Sequence, residues 1–141
     1  MAFDKKTLLL YAITDRAWLD GRNLEDDVRD VLRGGATFLQ LREKNLKGEE
    51  LRKEAEAVQA VAKEFSVPFV LDDDVMLAKE IGADGVHVGQ SDMEYSEARK
   101  ILGPDKIIGV SCGTVEEAKA AEAVGADYIG VGAVFPTSTK E

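Results

Sequence analysis

A chain of 141 residues with one cysteine is long enough to bury a core on its own, and a single thiol cannot form an internal disulfide. Its formal net charge of −9 repels polyanions, and no basic stripe interleaved with aromatics offsets that field, so nucleic acid is excluded as a partner. No apolar run approaches the roughly 20 residues of a membrane span, and the opening residues lack the pattern of a secretory signal, so a cytoplasmic protein is expected.

The first apolar run, residues 8–13, reads as a strand and stops at Thr14-Asp15-Arg16. Residues 24–32 read as a helix, and residues 38–41 as a second strand that runs into Arg42-Glu43-Lys44-Asn45. A helix follows over residues 48–65, then a strand over 68–71 that ends on Asp72, Asp73 and Asp74. Helix 75–81 leads to strand 85–88 and the segment Gly89-Gln90-Ser91-Asp92. Helix 96–102 leads to strand 106–110 and the segment Ser111-Cys112-Gly113-Thr114. The helix over 115–124 carries its own punctuation: Thr114 as N-cap, Glu117 three places on as in a capping box, and Gly125 past the last turn. Residues 128–131 form the sixth strand, followed by Thr137-Ser138-Thr139-Lys140.

Strands alternating with amphipathic helices indicate an α/β fold with a parallel sheet. After the first strand there is no G-x-G-x-x-G to bring backbone against a pyrophosphate, which disfavours a dinucleotide fold. A TIM (β/α)8 barrel fits better. Such a barrel takes about 250 residues, or about 200 at the low end, so residues 1–141 are expected to form a single barrel domain with about six βα units, lacking the last two. A short motif recurs, "IGADGVHVG" from Ile81 and "VGADYIGVG" from Val124, with "GGATFLQLR" from Gly34 as a looser version. The shared geometry of a helix-to-strand turn accounts for the echo.

In a parallel barrel the carboxyl ends of the strands form the site, and the polar clusters fall there. Asp74 precedes a helix and suits an N-cap. Three adjacent carboxylates repel one another unless a cation intervenes; Asp73 and Asp92, at the tops of neighbouring strands, could share Mg2+, which takes few protein oxygens and keeps waters. Solvated loop acids are the alternative. Alternation along the second strand sends Gln40, Arg42 and Lys44 to one side and Leu41 and Glu43 to the other. Two cations and an amide projecting together suit a diphosphate, with ion pairing to Glu43 or Asp15 as the structural alternative. Thr137, Ser138, Thr139 and Lys140 form a hydroxyl-rich loop suited to an anion or simply to solvent. No general base is evident beside Ser111, so it is not read as a nucleophile. His87, the only histidine, reads as a satisfied core residue, Cys112 as a small hydrophobe, and Trp18 and Tyr11 as packing residues that could also stack on a ring.

The segments "YAITDR", "FLQLREKN", "DDDVMLAKEIGADGVHVGQSD", "IIGVS" and "GADYIGVGAVFPTSTK" together resemble thiamine phosphate synthase, from about Tyr11 to the last residue. The resemblance implies a Mg2+-dependent transferase that joins hydroxymethylpyrimidine diphosphate to thiazole phosphate and releases pyrophosphate. By position it assigns Gln40, Arg42, Lys44, Ser111 and Lys140 to the pyrimidine diphosphate, with Arg42, Lys44 and Lys140 as the cations that assist departure. It assigns Asp73 and Asp92 to Mg2+, and Thr137, Ser138 and Thr139 to the thiazole phosphate. Three departures stand out: Asp72 where the family usually has an asparagine that contacts substrate, Gly113 where a histidine usually follows Ser111 by two residues, and an ending at Glu141 before the last two strands. The resemblance leaves room for a thiazole tautomerase-like relative, and for a non-catalytic remnant that binds phosphates or associates with itself as a homo-oligomer.

Overall fold

The computed structural model describes residues 3–91 and 93–136. Among them, six strands form one sheet: β1 (Tyr11–Ile13), β2 (Phe38–Leu41), β3 (Phe69–Asp72), β4 (Gly85–Val88), β5 (Ile107–Cys112) and β6 (Tyr128–Val131). They lie in chain order, every neighbouring pair parallel. The crossovers carry α1 (Leu24–Arg33), α2 (Gly48–Glu64), α3 (Val75–Ile81), α4 (Tyr95–Leu102) and α5 (Val115–Val124). The sheet is strongly curled. If it were flat, β1 and β6 would lie ~24 Å apart at the usual strand spacing, yet the hydroxyls of Tyr11 on β1 and Tyr128 on β6 are 2.5 Å apart. This is the curvature of a partial (β/α)8 barrel, the expected fold class.

Strand alternation divides the side chains into two layers. Leu39, Leu41, Phe69, Leu71, Val86, Val88, Ile108 and Val110 face outward and share one apolar core with Val28 and Leu32 of α1, Val58 and Ala62 of α2, and Ala78 of α3. The opposite parity faces the concave side, where Phe3, Tyr11, Phe38 and Tyr128 pack ring on ring with centroids 4.5–6.3 Å apart. That aromatic floor closes the lower part of the half-barrel. Polar side chains of the same parity occupy the upper part.

The first strand is shorter than residues 8–13. Lys5–Leu9 forms a 3-10 helix instead, capped by Asp4, whose carboxylate accepts from the Lys6 amide at 3.0 Å. An aspartate followed by two lysines favours that local cap over extended pairing. No helix among the described residues is long and apolar enough to cross a membrane.

The recurring turn motif has a mechanical role. Before β4, Asp84 donates its amide to Phe69 O at 2.9 Å while its Oδ2 accepts from Phe69 N at 2.8 Å. Before β6, Asp127 does the same to Ile108, at 2.9 and 2.8 Å. Thr37, in the looser copy, donates to Leu10 O and accepts from Leu10 N, both at 2.8 Å. Each turn thus clamps the start of its strand to the strand before it. The preceding glycines, Gly82 and Gly125, have φ of 68° and 92°, a left-handed conformation that places the clamp residue without a Cβ penalty. All three clamps lie at the amino ends of strands, the face of a barrel that serves stability rather than chemistry.

Candidate active site

The carboxyl ends of the strands surround an open cavity of about 1170 Å³, and Gln40, Arg42, Lys44, Asp72, Asp73 and Ser111 all line it. Strand β2 stops at Leu41, but its alternation continues because Thr14, buried, acts as one more rung. The Thr14 amide donates to Gln40 O at 3.0 Å and its Oγ1 accepts from the Arg42 amide at 3.0 Å. Arg42 and Lys44 therefore point into the cavity while Glu43 turns away. There Glu43 accepts from Arg16 Nε at 2.5 Å and from the Asn45 amide at 3.1 Å. Of the local acids offered as ion-pair partners for this group, Glu43 is taken by Arg16, while Arg42 lies near another local acid, Asp72.

The three aspartates have three different settings. Asp72 is the last residue of β3, faces the cavity, and lies 3.9 Å from Arg42 Nε; this cation supplies the partner that a carboxylate at this position requires. Asp73 adopts φ 63°, a left-handed turn that aspartate tolerates better than most residues. Its amide still donates to His87 O at 2.8 Å, so the β3–β4 pairing extends one residue while the carboxylate swings out to an exposed rim. Asp74 caps α3, its carboxylate accepting from Leu77 N at 3.0 Å. Asp92, Thr137, Ser138, Thr139 and Lys140 lie outside the described residues.

His87 is buried and satisfied, as expected, but its partners change the reading of Ser111. Nε2 lies 2.7 Å from Ser111 Oγ, and Nδ1 lies 3.0 Å from the Tyr128 hydroxyl. A potential base does stand beside Ser111, contrary to expectation. Gln40 Nε2 donates to the Tyr11 hydroxyl at 2.8 Å, so five polar side chains from five strands form one connected chain across the concave face. Burial pushes the phenols of Tyr11 and Tyr128 above their ordinary pKa, most strongly for Tyr128, and both keep their protons at neutral pH. The signal in the sequence was parity: His87, Ser111 and Tyr128 share the inward phase of adjoining strands, with Gly109 and Gly130 beside them. Reading it required the register Ser111↔Gly130 and His87↔Gly109.

The rest of the wall is apolar or structural. Ile13, Trp18 and Val131 line the cavity with their side chains largely exposed, and Tyr11 stacks on Phe38. Gln90 Nε2 donates to Ser111 O at 2.8 Å, which fixes the mouth between β4 and β5. Cys112 is buried in the outer core and its thiol is raised by burial and by the Glu117 charge, so it behaves as the expected small hydrophobe.

A sequence profile of the thiamine monophosphate synthase family matches residues 10–141. The chain is 52% identical over 132 residues to the thiamine-phosphate synthase of Clostridium novyi and 47% identical over 131 residues to that of Ruminiclostridium cellulolyticum. These alignments take in 94% and 93% of this chain but 65% and 62% of those relatives. The structure of the thiamine phosphate pyrophosphorylase of Pyrococcus furiosus superposes with a TM-score of 0.85 at 42% identity, over 93% of this chain and 63% of that one. The chain therefore spans slightly less than two thirds of the length of these proteins, and it belongs to the thiamine monophosphate synthase family.

Proposed function

We propose that this chain carries the pyrimidine-diphosphate half of a thiamine-phosphate synthase site, in a protein that joins hydroxymethylpyrimidine diphosphate to thiazole phosphate. The observation behind this reading is the convergence of Gln40, Arg42, Lys44, Asp72, Asp73 and Ser111 on one cavity at the strand carboxyl ends. Arg42 offers a planar fork and Lys44 a mobile charge to the diphosphate oxygens. Gln40 and Ser111 add neutral hydrogen-bonding groups, and Ile13 and Trp18 an apolar flank for a ring.

The donor set suits a small hard cation. Asp73 presents an exposed carboxylate, a single hard oxygen donor, at the rim of the cavity. Mg2+ fits such a sparse site because it retains waters and completes its shell from phosphate oxygens; Asp73 and Asp92 are its proposed ligands. When bound it would offset the negative charge that builds on the leaving pyrophosphate. Arg42, Lys44 and Lys140 act on the same charge. The bond from the pyrimidine methylene to the diphosphate oxygen breaks with its electron pair going to pyrophosphate, and the thiazole nitrogen lone pair captures the ring-stabilised cation. Thr137, Ser138 and Thr139 are assigned to the thiazole phosphate. No side-chain nucleophile is needed; positioning and electrostatics do the catalysis.

The test is pyrophosphate release from both substrates with Mg2+, repeated for Arg42→Ala and Asp73→Ala. Each substitution is expected to lower kcat on the order of 100-fold or more. Unchanged turnover in both variants would remove the site assignment.

A further inference from the structure

We propose that Tyr128, braced by Tyr11, is a positioning residue that sets the tautomer of His87 and so makes the Ser111 hydroxyl a donor into the cavity. The argument is a proton count along the chain of side chains. An amide nitrogen only donates, so the Tyr11 oxygen accepts from Gln40 Nε2. The single Tyr11 proton then goes to the Tyr128 oxygen, 2.5 Å away. Were the direction reversed, the half-buried Tyr11 hydroxyl would have no side-chain acceptor for its proton among the described residues, which is costly. Tyr128 must therefore direct its own proton to His87 Nδ1, at 3.0 Å. A neutral imidazole that accepts at Nδ1 carries its proton on Nε2. That proton points at Ser111 Oγ, 2.7 Å away, and the serine hydroxyl proton is released toward a ligand.

The opposite tautomer would reverse the last link. With the proton on Nδ1, Nε2 would accept from Ser111, and the serine could offer a ligand only lone pairs. Diphosphate oxygens are acceptors, so only the first arrangement serves them. The inference rests on the proposed reading of Ser111 as a diphosphate contact. Two glycines make the arrangement possible: a Cβ at Gly109 would lie 2.0 Å from Tyr128 Cζ, and one at Gly130 would lie 3.3 Å from His87 Cε1. Strands β5 and β6 are thus cut away where the phenol crosses to the imidazole. Burial keeps both phenols protonated, as the count requires.

Because the chain has one histidine, nitrogen-15 NMR of the imidazole reads this tautomer without interference. At pH 8 the parent protein should show a proton on Nε2, and Tyr128→Phe, which keeps the ring and removes the hydroxyl, should shift the population toward Nδ1–H. Tyr11→Phe should do the same to a smaller extent and guards against misfolding of the first variant. In the synthase assay Tyr128→Phe should lower kcat roughly tenfold with a smaller change in KM, the pattern of an interaction realised in the transition state. A parent histidine protonated on Nδ1, or a tautomer unchanged in both phenylalanine variants, would overturn the proposal. The NMR measurement needs no substrate, so loss of the synthase reading would show as absent pyrophosphate release with the tautomer result intact.

Discussion

Glu54→Gln should alter the pH dependence of stability in a direction that the surroundings of the carboxyl dictate. The Glu54 side chain is 8% exposed, one oxygen accepts from Arg16, and no donor reaches Oε2 among the described residues. Burial first, and the adjacent Glu43 carboxylate second, raise its pKa from 4.5 to about 7. A carboxyl with a higher pKa folded than unfolded binds its proton more tightly in the native state. Its contribution is intact below about pH 4.5 and is lost as pH rises through 7. Glu43 goes the other way: burial works upward, but the Asn45 amide and the Arg16 guanidinium outweigh it and leave it below its usual value. Its contribution is lost only on acidification, outside the Glu54 window. At full weight the Glu54 shift corresponds to ~3 kcal/mol. Arg16 is 43% exposed, so solvent screening reduces this to about 1–3 kcal/mol. Glutamine keeps the size and abolishes the titration. Denaturant unfolding of the parent and of Glu54→Gln at pH 5 and pH 8.5 isolates the effect, because groups that do not touch Glu54 cancel in the difference and Glu43, held below its usual value, titrates outside this range. The variant should gain about 1–3 kcal/mol on the parent between those two pH values. An equal difference at both would mean that Glu54 does not titrate between them, and the reasoning would fail.

Gly109→Ala should destabilise the protein by about 1–3 kcal/mol in urea unfolding, because its methyl would occupy the space of the Tyr128 ring. Asp127→Ala removes the acceptor of the Ile108 amide and a partner of Arg99 at 3.0 Å; thermal or chemical unfolding should show a loss of about 1–3 kcal/mol. Asp74→Ala deletes the cap of α3 and should cost about 1 kcal/mol by the same measurement.

Much of the fold was legible locally. Strands Phe38–Leu41, Gly85–Val88 and Tyr128–Val131 and helices Val75–Ile81 and Val115–Val124 coincide with the expected bounds, because glycine, aspartate or threonine marks both ends of each except Phe38–Leu41, where Thr37 marks the start alone. The capping box at Thr114 differs in one detail: Glu117 reaches back to the Gly113 amide at 2.6 Å rather than to Thr114. The start of β1 was not legible, since residues 8–10 are as apolar as a strand, and only the Asp4 cap and the distant Thr37 clamp decide where extension begins.

What the sequence alone determined is the βα order, the placement of Gln40, Arg42, Lys44 and Asp72–Asp74 at strand carboxyl ends, and the role of Asp74. These follow from period and local capping, which act over a few residues. The tertiary structure decided which inward side chains meet: Tyr11 with Tyr128, His87 with Ser111, Arg16 with Glu43 and Glu54. Such pairs depend on sheet curvature and on register between strands, quantities that no window of neighbouring residues contains.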